Sequence, residues 1–189
     1  MRARAVVVID PLAAGLARLR LHPNTVTILG CLLNLGAGFV AASGRLRLAG
    51  IAMWLASSTD ALDGTLARVT ARQSQFGAFL DSTLDRLSEG AVLFGLTVWM
   101  SRAGMTEGVL LAFAALLGSV MVSYTRARAE GVGYDCKVGL FTRPVRVVVL
   151  GVGMLTGWLE PVLGLLAVFT WVTVVQRIFH VYQASRQSD

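Results

Sequence analysis

Cysteine and histidine are nearly missing from this 189-residue chain, with two of each. Cys31 lies in an apolar run and Cys136 in a polar loop, which fits neither a disulfide framework nor a zinc pattern; both are expected to be free thiols. Acids are scarce as well, 11 Asp and Glu against 17 Lys and Arg. No internal repeat, low-complexity tract or second domain appears, so residues 1–189 read as one domain. The net charge of +6 and pI near 10.3 would suit a polyanion. No soluble basic domain or aromatic-rich basic strand is present to bind nucleic acid, and an anionic lipid surface is the expected partner.

Apolar residues are what the chain has in quantity. Counting glycine and leaving out tyrosine, roughly 64% is apolar against about 45–50% in soluble domains, and the mean hydropathy is +0.67. The pattern predicts an all-α integral membrane protein with six spans, at 25–43, 47–69, 75–100, 107–129, 143–159 and 162–182, each near the ~20 residues a bilayer requires. Pro23 and a capping Asn24 suit the start of the first. Before it, residues 1–23 hold an apolar stretch too interrupted by Asp10 and Pro11 for a cleaved signal peptide. Residues 11–20 there are expected to form an amphipathic helix lying at the interface. With a cytoplasmic N-terminus, every Lys and Arg except Arg45, Arg47 and Arg102 falls at the cytoplasmic side, as the positive-inside rule demands.

Small residues recur in the spans, as in LGAGF at 35–39, AFAALLGS at 112–119 and GVGML at 151–155, and predict close helix packing. Asn34, in mid-span, is expected to bond a neighbouring helix. Glu89, four residues after Asp85, suits either support of an acid site or a helix–helix hydrogen bond.

Between Asp60 and Asp85 the chain reads DALDGTLARVTARQSQFGAFLDSTLD. Acids at membrane depth cost about 2.5–3.5 kcal/mol each on insertion scales, so four of them require a positive partner. Asp60 and Asp63 are three residues apart and Asp81 and Asp85 four, which puts each pair on one helix face about one turn apart. Gly64 and Gly77 leave room for a ligand or second backbone. Oxygen-only donors point to Mg²⁺, Mn²⁺ or Ca²⁺ rather than zinc. The plainer alternative is that the acids pair with Arg68, Arg72 and Arg86. Ser57, Ser58 and Thr59 either border the site or bond back to their own helix, the commoner behaviour.

The pattern D-x-x-D-G-x-x-A-R, followed after eight residues by G-x-x-x-D-x-x-x-D, resembles the signature of the CDP-alcohol phosphotransferase family at every fixed position. The resemblance implies a membrane enzyme, working as a homodimer, that moves a phosphatidyl group from a CDP-linked lipid to an alcohol and releases CMP. It implies that Asp60, Asp63, Asp81 and Asp85 hold two Mg²⁺ ions, with Mn²⁺ as substitute, and that Asp85 is also the general base. Asp60, Gly64, Ala67 and Arg68 would bind the CDP-lipid, Arg68 at the diphosphate and Gly64 with Ala67 making room for cytidine. The site would face the cytoplasm of a prokaryotic cell from its plasma membrane.

The acceptor is suggested by the second half of the chain. Arg126, Arg128, Lys137, Arg143, Arg146 and Arg177 all fall near the cytoplasmic face, suiting a phosphorylated alcohol. Arg126 and Arg128, two apart, cannot both point the same way in a regular helix. SYTRARAE followed by GLFTRPVR resembles the branch that makes phosphatidylinositol phosphate, or its archaeal ether-lipid counterpart, from inositol phosphate and CDP-diacylglycerol or CDP-archaeol. By that resemblance Arg126, Arg128, Arg143, Arg146 and Arg177 bind the acceptor phosphate. Thr142 and Val145 stand where that branch often has acids, which keeps glycerol 3-phosphate as the alternative acceptor. A transporter is the reading from a different class, but inverted repeats and spans broken near the midplane are not evident.

Overall fold

The computed structural model describes residues 22–70 and 73–188, with side chains throughout except at 60–64, 68–69 and 187–188. Among the described residues there is no strand. Six helices follow one another: α1 (Pro23–Ala42), α2 (Leu46–Val69), α3 (Gln75–Arg102), α4 (Thr106–Gly131), α5 (Arg143–Thr156) and α6 (Leu159–Ser188). They fall on the six expected apolar runs. The expected amphipathic helix at 11–20 lies outside the described residues.

Three helices, Pro23–Ala42, Thr106–Gly131 and Leu159–Arg186, are long and apolar enough to cross a membrane by length and composition. α2 and α3 have the length, at 24 and 28 residues, but carry the acids and arginines of the motif. α5 has only 14 residues, about 21 Å of helix, against a hydrocarbon core of ~30 Å.

Local chemistry moves several helix ends from their expected places. The first cap is His22, not Asn24: the residue before Pro23 is held extended, and His22 Nδ1 accepts from the Asn24 amide at 3.2 Å. α5 stops at Thr156 because Gly157 takes a left-handed conformation, φ +83°, its amide bonding the Gly153 carbonyl at 3.0 Å. α6 starts at Leu159, ahead of Pro161, because first-turn amides have no intrahelical partner to lose. Asn34 is also corrected. Its Nδ2 donates to the Gly30 carbonyl of its own helix at 3.2 Å, the backbone acceptor one turn back being within reach.

The helix ends alternate. Asn24 beside Gly77 brings the starts of α1 and α3 together, and Gly44 beside Trp99 joins the first turn to the end of α3. Gly108 meets Met100 and Glu160 at that second end. α1 packs between α2 and α3, while α4 packs on α3 and α6 and α5 on α2 and α6. A Cβ on Gly95 would strike the Gly38 carbonyl, and one on Gly151 the Trp54 indole; small residues allow those crossings. The core they enclose is built of Ala37, Ala41, Ala112 and Ala115 with Leu96, Met100, Met154 and Leu163. Phe39, Phe94, Leu110 and Phe113 point outward.

Candidate active site

The motif occupies the end of α2 and the first half of α3. Ser74 caps α3, its hydroxyl accepting from the Gly77 amide at 2.9 Å, and so fixes where Asp81 and Asp85 emerge. Those two acids stand one turn apart and half-buried. Asp60, Asp63, Gly64 and Arg68 belong to the backbone of α2, and their side chains lie outside those described; Ala67 is half-buried. Among the described residues no group of three or more His, Cys, Asp or Glu gathers. The donor chemistry fits a hard divalent cation: Asp81 and Asp85 offer carboxylate oxygens only. Asp85 also draws a cation to itself, the Arg143 Nη1 lying 2.7 Å from its Oδ1. Arg86, a partner considered for the acids, donates Nη1 to the Ser82 carbonyl and lies near enough to Asp85 to act on it through space.

Arg143 is the first residue of α5, and Arg146 follows one turn later. Arg146 is buried, and its Nε and Nη2 grip both oxygens of Glu89 at 2.6 and 2.7 Å, while Nη1 donates to the Phe141 carbonyl at 2.9 Å. Of the two roles open to Glu89, the structure presents the helix–helix contact. Sequence reading missed its partner, although Asp85 to Glu89 and Arg143 to Arg146 are matching one-turn steps that hint at two rungs.

The remaining cations have other partners. Arg177, buried on α6, donates Nε to the Val138 carbonyl at 2.9 Å and Nη1 to that of Val122. Arg126 pairs with Glu130 at 2.8 Å on the exposed side of α4. Arg128 is exposed. Lys137 meets Asp135 at 2.7 Å, and its hydrogen bond holds that carboxyl below the usual carboxylate range. Arg126 and Arg146 nevertheless lie near enough to Arg177 to act on it through space, so these three share one field without sharing one partner.

The loop after α4 is stitched onto α6. The Phe141 amide donates to Thr173 Oγ1 at 3.2 Å, the Phe141 ring stacks on Phe169 at 5.0 Å, and His180 Nε2 lies 3.1 Å from the Asp135 carbonyl. Cys136 is buried in this loop, and both thiols are free. Ser58 and Thr59 bond back to the Trp54 and Ala56 carbonyls at 2.8 and 2.6 Å. Beside them a groove of about 640 Å³ runs between α2 and α5, walled by Trp54, Val147 and Val148 and ending at Ser57, Ser58 and Arg143.

An all-helical membrane fold with paired acids on α3 and facing arginines on α5 defines a class, and comparison with known sequences agrees. The chain belongs to the CDP-alcohol phosphatidyltransferase family, whose profile matches residues 20–179. It is 40% identical over 182 residues to the archaetidylinositol phosphate synthase of Methanothermobacter thermautotrophicus, covering 93% of this chain and 89% of that one. It is 36% identical over 178 residues to the phosphatidylinositol phosphate synthase of Mycobacteroides abscessus, covering 89% and 81%. Among solved structures, the Mycobacterium tuberculosis phosphatidylinositol phosphate synthase with CDP-DAG bound superposes with a TM-score of 0.88 at 33% identity, covering 93% of this chain and 94% of that one. The same enzyme in complex with manganese and citrate superposes at 0.86, covering 93% and 89%.

Proposed function

We propose that this protein transfers the phosphatidyl group of CDP-diacylglycerol, or an ether-lipid analogue such as CDP-archaeol, to inositol phosphate, with release of CMP. The observation that carries the reading is Arg143 standing 2.7 Å from Asp85: a group suited to phosphate beside a group suited to accept a proton. The names of the relatives support the choice of acceptor.

Asp60, Asp63, Asp81 and Asp85 hold the divalent ions, two Mg²⁺ with Mn²⁺ as substitute. When bound, such ions neutralise the diphosphate and align it for attack. Arg68 pairs with the diphosphate, and Gly64 with Ala67 leaves room for cytidine. Arg143 is the principal ligand of the acceptor phosphate and Arg126, Arg128 and Arg177 are lesser ones, whereas Arg146, expected among them, is buried against both oxygens of Glu89. Asp85 takes the proton of the attacking inositol hydroxyl; that oxygen bonds the lipid-linked phosphorus as the bond to the CMP oxygen breaks. The apolar groove between α2 and α5 suits a lipid chain.

The six helices form six spans of a prokaryotic cell membrane, the fifth running beyond the 14-residue α5 through the turn to residue 159, and the protein works as a homodimer. The positive-inside bias supports a site at the cytoplasmic face. A single Cys at Gln73, in a background without Cys31 and Cys136, is then labelled from the cytoplasmic side, and labelling from outside reverses the orientation. The deciding experiment is CMP release from CDP-diacylglycerol with each acceptor in turn. Turnover with inositol phosphate is expected; turnover with glycerol 3-phosphate but none with inositol phosphate refutes the assignment.

A further inference from the structure

Arg143 and Arg146 are one turn apart on α5, Asp85 and Glu89 one turn apart on α3, and they pair in order as two rungs between the helices. The outer rung, Arg143 with Asp85, is 20% and 15% exposed; the inner one, Arg146 with Glu89, is 2% and 8% exposed. We infer that the inner rung is a positioning pair, which sets the depth and rotation of α5 and thereby the place of Arg143 against Asp85. The inference rests on the reaction proposed for this site.

Three observations carry it. α3 and α5 share at most a marginal backbone contact, α5 packing instead on α2 and α6, so it is long side chains that bridge α3 and α5 across the site. The Arg146 guanidinium is held on two sides, by both Glu89 oxygens and by the Phe141 carbonyl. Phe141 in turn is fixed to α6 through Thr173 and Phe169, so one side chain ties α3, α5, α6 and the loop before α5 together. Finally, the rung sits beside Leu93, Leu150 and Leu166, where an apolar pair would also pack. Replacing a buried ion pair by apolar residues of similar volume is often neutral or stabilising, so stability alone gives little reason for charges here, whereas a bidentate fork fixes orientation. Arg143, on the outer rung, is the guanidinium placed to exchange Asp85 for an arriving phosphate.

The test uses the full chain in lipid and the double variant Glu89→Leu/Arg146→Met, which leaves no orphaned charge. Spin labels at the exposed positions Leu87 and Val152 report the α3–α5 distance, and CMP release reports kcat and KM for each substrate. The expected result is a melting temperature within about 5 °C of wild type, a shifted or broadened distance distribution, and kcat/KM for the acceptor lowered by about tenfold or more with KM for the CDP-lipid unchanged. An unchanged distribution overturns the inference, as does a shifted one with normal acceptor kcat/KM or with equal losses for both substrates. Should the double variant not fold, Arg146→Lys keeps the charge without the fork, and the distance distribution and acceptor kcat/KM decide in the same way. Wild-type protein inactive with inositol phosphate sinks the acceptor assignment instead, and the distance measurement still decides the positioning pair.

Discussion

The acidic half of the site and the basic half are built in opposite ways. The acids stand on two helices at spacings of three and four residues, and Asp81 and Asp85 inherit their placement from a backbone capped by Ser74. The cations are spread over the end of α4, a loop, the start of α5 and the end of α6, and almost every described one has its own partner: Glu130, Asp135, Asp85, Glu89, or the carbonyls of Val122 and Val138. Short carboxylates reach only what the backbone brings to them. Long guanidinium stems reach whatever polar group lies within several ångströms. A charge pattern is therefore a geometric statement for aspartate and a much weaker one for arginine.

The largest effects expected from that contrast fall on the acids. Chelating divalent ions should take CMP release to background, and Mg²⁺ or Mn²⁺ should restore it; full activity in excess chelator would remove the metal from the reading. Asp85→Asn keeps the shape but cannot accept a proton, and should lower kcat by about 10²–10⁴-fold with CDP-lipid binding retained. Near-normal turnover in that variant, with Asp60→Asn inactive, would show that the base is another group.

How much is legible in the sequence follows the same division. The helices can be placed because apolar runs of bilayer length leave few alternatives, and the acids because short side chains three and four residues apart on a helix share one face. Departures fall where one backbone torsion decides: His22 before Pro23, Gly157 in its left-handed turn, Pro161 inside a first turn. The Glu89–Arg146 rung joins residues 57 apart in the chain, and no local rule predicts which of several arginines enters a carboxylate's reach. Asn34 departs from expectation for a related reason, since its own helix offers an acceptor as good as a neighbour's.

The basic half should respond unevenly. Arg143→Ala should lower kcat/KM for the acceptor by about 10- to 100-fold, whereas Arg128→Ala, at an exposed position, should change it by no more than about threefold. Equal losses from the two would mean that the cations act as a field and not as individual ligands. Glycines sharpen the contrast in stability. Gly95→Ala pushes a methyl group into the Gly38 carbonyl of the facing backbone and should cost about 1–3 kcal/mol. At Gly131 a Cβ meets nothing within 4 Å, and Gly131→Ala should be neutral or slightly stabilising in a thermal melt.

The smallest effect concerns Arg126. Its bond to Glu130 at 2.8 Å is exposed on both sides, and exposed pairs four residues apart contribute about 0.3–0.5 kcal/mol. Glu130→Gln should therefore leave the melting temperature almost unchanged. The same weakness makes the pair easy to exchange. A phosphate carries more charge than a carboxylate and offers three oxygens, so an acceptor arriving at the site competes with Glu130 for Arg126. Removing the competitor should lower the acceptor KM by about twofold, the equivalent of ~0.4 kcal/mol, while KM for the CDP-lipid stays where it was. An acceptor KM that rises in Glu130→Gln would mean that Glu130 holds Arg126 in place for the phosphate, and would put this pair beside Glu89 and Arg146 as part of the scaffold.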